Sequence, residues 1–368
     1  KEINADTSVI MLTSNDHIDV ALTSFHHGAS DYVVKTDHQF KKINHSIHKI
    51  FAAKELAFDS GEKAKQAIEL LLANKELGFQ KEKEKQIKEL ISVNIQKAEV
   101  EKSKLVVEEK HKSITDSINY AKRIQQAKLP KKEEIYAALT DCFVLFKPKD
   151  IVSGDFYFFH KNPLSQKSGA EVFIAAADCT GHGVPGALLS MVCSERLHDA
   201  VALSTSPSEI LNRLNKGIKI SLHQSERFDT TRDGMDIALC AVNTEKGTVK
   251  YSGANRPLWV IRKGMTKVEE IKGTKKAIGG YTEDNQHFDT HEINLQAGDS
   301  FYIFSDGYAD TFGGEAGKKL MTKKFKEILL NIQHKPMPEQ EAHLESFIED
   351  WKAGAEQVDD ILVIGVRL

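Results

Sequence analysis

Four aspartate positions stand at the ends of apolar runs. "DIVSGDFYFF" places Asp155 at a Gly-Asp turn, and "AEVFIAAADCTGHG" ends a buried-type run at Asp178. "DSFYIFSDG" ends another at Asp306, and "VDDILVIGV" sets Asp359 and Asp360 directly before a last run. Strands packed side by side would bring such ends together. Clustered carboxylates repel one another and burial raises their pKa values; divalent cations relieve that cost. Oxygen ligands suit Mg²⁺ or Mn²⁺ rather than Zn²⁺. Two such ions about 3.5–4 Å apart lower the pKa of a bridging water, orient it and clamp the oxygens of an in-line phosphoryl displacement. A single Asp after a strand is more often a turn former or a helix cap; four in glycine-rich contexts form a far more specific pattern.

The loop "DCTGHGVPGA" (178–187) tests this chemistry against its rivals. Gly181-His182-Gly183 lacks the Lys that a phosphate-binding P-loop requires. Cys179 and His182 alone do not meet the needs of zinc. The glycines make a tight turn, and Pro185 falls near the first helical position, where its missing donor costs nothing. The run 186–201 then has helical spacing, with Leu188, Leu189, Val192 and Leu197 as expected core. His182 near the metals can donate a proton to a leaving serine oxygen. It can equally shape the loop or hydrogen-bond a ligand carboxylate.

These residues need a scaffold, and 368 residues allow two or three modules. Hydrophobic residues are 40% and charged residues 28%, so a packed core is possible; the net charge of −3 gives no general reason to bind nucleic acid or an anionic membrane. No apolar run approaches the roughly 20 residues of a membrane span, and no signal-peptide pattern opens the chain. The four Cys, Cys142, Cys179, Cys193 and Cys240, form no CxxC pair and are expected as reduced thiols of a cytoplasmic protein. A start at Lys1 suggests a piece of something longer.

Three segments are expected. In 1–50, "SVIMLTS" (8–14) and "DYVVK" (31–35) have strand character. A helix between them has Ile18, Ala21, Leu22 and Phe25 on one face, and a second helix follows with Phe40, Ile43, Ile47 and Ile50 on one side. The order resembles the C-terminal half of a response-regulator receiver domain. That resemblance implies a switch hydroxyl at Thr13 or Ser14, a phosphoryl-contacting Lys35 and an upstream histidine kinase. Thr36 stands where the family usually has Pro, and the phospho-accepting aspartate would belong to the other half.

Residues 51–113 are rich in Lys and Glu, and "KELAF" (54–58) recurs as "KELGF" (75–79). Leu56, Leu70, Leu77 and Ile91 share a heptad position that Lys63 and Glu84 interrupt, and Val107, Ile114 and Ala121 keep the period. An imperfect coiled-coil linker, or a solvated helical spacer, is expected. Residues 114–134 form the helix entering the next domain, stopped by Pro130. From 135 to 368 strands alternate with helices and turns.

"SGDFYFF", "ADCTGHGVPGALLSM", "YSGANRPLWV", "FSDGYAD" and "DDILVIGV" occur in that order over 135–368. They resemble the metal-dependent protein serine/threonine phosphatases (PPM, protein phosphatase 2C-like), in the branch typified by stage II sporulation protein E. The resemblance implies an α+β fold: a β-sandwich flanked by helices, with a two-metal centre at one end. It implies metal ligation by Asp155, Asp178 (bridging), the Cys179 backbone carbonyl, Asp306, and Asp359 in preference to Asp360, with Mn²⁺ or Mg²⁺ as the ions. Asn255 and Arg256 contact a phosphoprotein or simply form a turn before Pro257; Trp259 is core, and Asp236 is not assigned to metal. "SINYAKRIQQAKLP" (117–130) resembles the helix leading into this branch, which implies a homodimer through the linker and regulation by the receiver. The substrate class implied is phosphoserine or phosphothreonine on a protein, such as an anti-sigma-factor antagonist. The alternatives are a non-catalytic docking or dimerisation platform and a two-metal hydrolase of a small phosphoester.

Overall fold

The computed structural model describes residues 7–14, 18–36, 39–59, 61–162, 171–224 and 232–368, apart from the side chains of 18, 55–59 and 61–64. Ile18 of the first expected helix face, and Leu56 and Lys63 of the heptad pattern, therefore have side chains outside the described set. The chain divides into two compact units, Lys1–Glu109 and Lys110–Leu368. Among the described residues, no helix is long and apolar enough to cross a membrane.

The first unit contains β1 (Ile10–Thr13), α1 (Ile18–His26), β2 (Asp31–Val34) and α2 (Gln39–Asp59), followed by α3 (Gly61–Lys128), which runs on past the unit boundary. β1 and β2 pair in parallel, Ile10 against Asp31 through Thr13 against Val34, as strands joined by a crossover helix must. Ala21 of α1 and Val33 of β2 are buried. The side of α2 expected to be apolar is largely open, with Phe40 and Ile47 exposed; its buried contacts are the small residues Ser46 and Ala53. α3 is continuous over 68 residues. No Pro interrupts it, and it ends two residues before Pro130. Along it Leu70, Leu77, Ile91, Val107 and Ile114 are exposed.

The second unit continues with α4 (Lys132–Ala138), β3 (Asp141–Lys147), β4 (Phe156–Lys161), β5 (Glu171–Cys179), α5 (Gly183–Val201) and α6 (Pro207–Ser221). Then come β6 (Gly234–Asn243), β7 (Thr248–Ala254), β8 (Leu258–Ile261), β9 (Glu269–Ile271), β10 (Ile278–Gly279), β11 (His291–Asn294) and β12 (Ser300–Phe304). The chain closes with α7 (Gly307–Asp310), β13 (Phe312–Gly313), β14 (Lys318–Lys319), α8 (Met321–Ile332), α9 (Met337–Lys352) and β15 (Ile361–Arg367). One antiparallel sheet has the order β11-β7-β6-β5-β4, with β10 added beside β6; the other has the order β3-β15-β12-β8-β9.

Period-2 alternation explains why these strands read as unbroken apolar runs. In β5, Val172, Ile174 and Ala176 enter the core between the sheets, while Phe173, Ala175 and Ala177 face α5 and α6. In β15, Leu362, Ile364 and Val366 enter the same central core, while Ile361 and Val363 face α8 and α9. Each sheet is thus covered on both faces, and the unit is a four-layer sandwich. Trp259 is buried in the outer core of the second sheet. On α5 the buried stripe is Gly186, Leu189, Cys193, Leu197 and Ala200. Leu188, expected in the core, lies off that stripe and is 64% exposed.

Ile364 is fully buried at the centre of the inter-sheet core. Ile364→Ala is expected to lower unfolding stability by about 2–5 kcal/mol, read from the urea midpoint.

Candidate active site

The alternation that fills the core also carries acids to one end of it. On β5 the inward positions Val172, Ile174 and Ala176 are followed by Asp178; on β6 the inward series Val242, Cys240 and Ala238 is followed by Asp236. The two aspartates are register partners across the β5–β6 pair. On β4, Phe159 and Tyr157 lead back to Asp155, and on β15, Ile364 and Leu362 lead back to Asp360. Asp306 lies two residues past the end of β12, after Ser305, and Asp359 lies two residues before β15. A cleft of about 460 Å³ opens here, lined by Asp178, His182, Asp236, Asp306 and Asp359 among others.

Backbone packing holds the loops. The Gly181 carbonyl lies so close to Gly154 and Gly186 that a Cβ at either position would overlap it, and Gly181 itself has φ +83°. The backbone N–H groups of Lys149 and Gly154 both donate to the Asp360 carboxylate, at 2.7 Å each. Asp360 is therefore buried as a loop anchor, whereas Asp359 lines the cleft. Gln125, near the end of α3, is also buried here. Its Nε2 donates to the Ser153 carbonyl (2.6 Å) and to Ser190 Oγ on α5 (3.0 Å), and its Oε1 accepts the Ser153 N–H (3.2 Å). The entry helix is thereby tied to the loop that presents Asp155.

The electrostatics are those of crowded, desolvated carboxylates. Burial, then the neighbouring Asp178, pushes Asp155 well above the usual carboxylate range, and a hydrogen bond with Ser305 opposes this. Asp155 Oδ2 is buried without a hydrogen-bond partner. Burial raises Asp178 to about 7; Arg256 pulls it down, and Asp306, Asp359 and Asp236 push it up. Asp236 and Asp359 are also raised, chiefly by burial. The Arg256 guanidinium stands among them. Its Nη2 lies 2.7 Å from Asp178, 2.8 Å from Asp306 and 3.4 Å from Asp236.

The structure thus brings Asp155, Asp178, Asp306 and Asp359 to one end of the sandwich. His182 lies beside the cleft, with Nδ1 2.8 Å from Asp150 Oδ2 and Nε2 3.0 Å from Lys149 Nζ. A proton on Nδ1, with the Lys149 ammonium donating to Nε2, satisfies both contacts. The Cys179 thiol is buried on the opposite face of β5, beside Cys193, and burial pushes its pKa well up. Asn255 donates to Asp236 at 2.8 Å. In the first unit, Thr13 ends β1, Ser14 follows it, and Lys35 follows β2; the Lys35 N–H donates to the Thr13 carbonyl at 2.7 Å. Sequence reasoning left Asp236 unassigned and did not single out Asp150 or Gln125. The parity of β6 could have flagged Asp236 once its register with β5 was known. Asp150 and Gln125 act across sequence separations of 32 and 28 residues, which no local pattern reveals.

The family model for stage II sporulation protein E (SpoIIE) matches residues 168–368. The chain belongs to the SpoIIE family. Phosphoserine phosphatase RsbU of Bacillus subtilis (strain 168) is 28% identical over 198 residues, 54% of this chain and 54% of RsbU. The chain therefore spans about half the length of the curated relative it matches. Among solved structures, the SiaA-PP2C domain of Pseudomonas aeruginosa superposes with a TM-score of 0.62 at 31% identity, covering 70% of this chain and 98% of that domain. The second unit carries the PP2C-type fold. Asp178, His182, Asp306 and Asp359 lie inside the SpoIIE match, and Asp155 lies ahead of it.

The raised pKa of Asp178 links stability to pH. Between the ordinary value of 3.8 and about 7, the folded chain holds a proton that the unfolded chain has released, so stability is lost as pH rises through that window. In chelator, Tm is expected to fall between about pH 4 and pH 7. Asp178→Asn should reduce that fall by roughly 5 °C; an unchanged pH profile would contradict it.

Proposed function

We propose that the second unit is a metal-dependent protein phosphatase that hydrolyses phosphoserine or phosphothreonine on a signalling protein. The observation that carries this reading is the convergence of Asp155, Asp178, Asp306 and Asp359 at one end of the sandwich. The donor set fits divalent cations: it is all oxygen, burial raises Asp155, Asp178 and Asp359, and the buried Oδ2 of Asp155 lacks a partner. Asp155, Asp178, the Cys179 carbonyl, Asp306 and Asp359 would hold two ions, Mn²⁺ or Mg²⁺. Such ions would polarise the phosphoryl oxygens and lower the pKa of the attacking water.

The chain's own groups do the rest. Water, having released a proton to solvent, bonds through its oxygen to phosphorus as the ester P–O bond breaks, and the serine oxygen leaves. His182, held at Nδ1 by Asp150, would supply the proton that this oxygen takes up from an Nε2–H, which requires the Lys149 contact at Nε2 to open and that nitrogen to be protonated. Asn255, held by Asp236, sits at the cleft edge, where a phosphoprotein would approach. We further propose regulation along the entry helix, because Gln125 joins α3 to the Asp155 loop. In this scheme residues 1–50 are the C-terminal half of a receiver served by a histidine kinase. The parallel β1–β2 pair, with Thr13 and Lys35 at adjacent strand ends, supports that assignment. Residues 51–113 form a linker that pairs two copies through the exposed apolar positions of α3, and 114–134 lead into the phosphatase at 135–368. The phosphoprotein would be of the anti-sigma-factor-antagonist type, in a reducing cytoplasm that suits the four free thiols.

Turnover of an aryl phosphate and a phosphopeptide should require Mn²⁺ or Mg²⁺, stop with chelator, and fall at least ~10³-fold in Asp178→Asn. A chain inert under every metal condition would point to a docking platform instead. Gln125→Ala should lower turnover about tenfold by releasing two buried backbone groups; unchanged turnover would remove Gln125 from the regulatory scheme. Sedimentation should detect a dimer, and a monomer at every concentration would exclude pairing through α3.

A further inference from the structure

We infer that Arg256 is a built-in counter-cation of the carboxylate cluster: its guanidinium competes with divalent cations for Asp178 and Asp306, and so sets how tightly they are held. The inference rests on the metal-dependent reading above.

The contact geometry is the first argument. An arginine usually grips carboxylates with two parallel N–H groups of its fork. Here the single nitrogen Nη2 faces Asp178, Asp236 and Asp306 from three different elements. Its Nε is buried without a hydrogen-bond partner. The side chain, 15% exposed, thus acts as a point charge at the centre of three acids, the place a metal ion would take. Nη2 contacts both carboxylates, at 2.7 and 2.8 Å, and so stands where an ion bridging them at ~2.0–2.1 Å from each oxygen would sit. Among the described residues, no three His, Cys, Asp or Glu side chains close on a common point. Loading a cation between Asp178 and Asp306 therefore requires the guanidinium to give way.

The second argument is the mount. Asn255 adopts φ +58°, its N–H donates to the Thr274 carbonyl at 2.9 Å, and its side chain is tied to Asp236. The Arg256 carbonyl accepts the Tyr251 hydroxyl, and the Arg256 N–H donates to the Ala254 carbonyl at 2.7 Å. Gly273 passes so close that a Cβ there would lie 2.7 Å from the Arg256 carbonyl oxygen. Pro257 fixes the following residue. The backbone at 255–257 is held on every side, so the side chain is aimed from a fixed point.

The test is Mn²⁺ binding to the whole chain without substrate, read as free Mn²⁺ by electron paramagnetic resonance. Wild type is compared with Arg256→Gln and Arg256→Lys. Arg256→Gln should bind Mn²⁺ about tenfold tighter or more. Arg256→Lys, with its charge on a shorter stem, should bind about threefold tighter and carries the test if the Gln variant does not fold. Affinities equal to or weaker than wild type overturn the inference while leaving the metal site standing. An absence of saturable Mn²⁺ binding in all three proteins overturns the metal-dependent reading itself.

Discussion

Mutual repulsion among Asp155, Asp178, Asp236, Asp306 and Asp359 is the constraint around which the second unit is organised. Acids left in water would spread apart and stay ionised. Here each is fixed to a strand or a strand-end loop, and the strands are locked by cores on both faces of each sheet. The fold thus stabilises an arrangement that the carboxylates alone oppose. The cost appears as raised pKa values, as a buried Oδ2 on Asp155 without a partner, and as an arginine drawn among the acids. Glycines at 154 and 186 let the loops approach within backbone contact, so the acids stand close enough for Asp178 to raise Asp155 and for Asp306 and Asp359 to raise Asp178.

Much of this was legible because inward positions on a strand recur every second residue. The apolar runs that end at Asp178 and Asp306 mark both a buried strand and the residue it delivers. The preference for Asp359 over Asp360 rested on resemblance; the structure adds that Asp360 is occupied by the N–H groups of Lys149 and Gly154. Arg256 was expected either to contact a phosphoprotein or to form a turn before Pro257. Its placement beside Asp178 and Asp306 depends on contacts 78 and 50 residues away along the chain. Leu188 shows the opposite error: apolar character suggested core, but the angular position of the α5 stripe decided otherwise.

Gln125 gives the second unit an internal link between its first helix and its chemistry. One buried amide uses both its donor and its acceptor on the Ser153 backbone, two residues before Asp155. A displacement of this helix end would break both bonds or drag the loop along. The long, exposed apolar positions of α3 in the first unit are those that a pairing helix would cover.

The central claim is that the carboxylates at the end of the sandwich hold a pair of divalent cations. Anomalous scattering from crystals of the chain soaked in Mn²⁺ tests it most directly. The account predicts two peaks about 3.5–4 Å apart, bridged by Asp178 and flanked by Asp155, Asp306 and Asp359. Peaks elsewhere, or none within reach of Asp178 at saturating Mn²⁺, would contradict it.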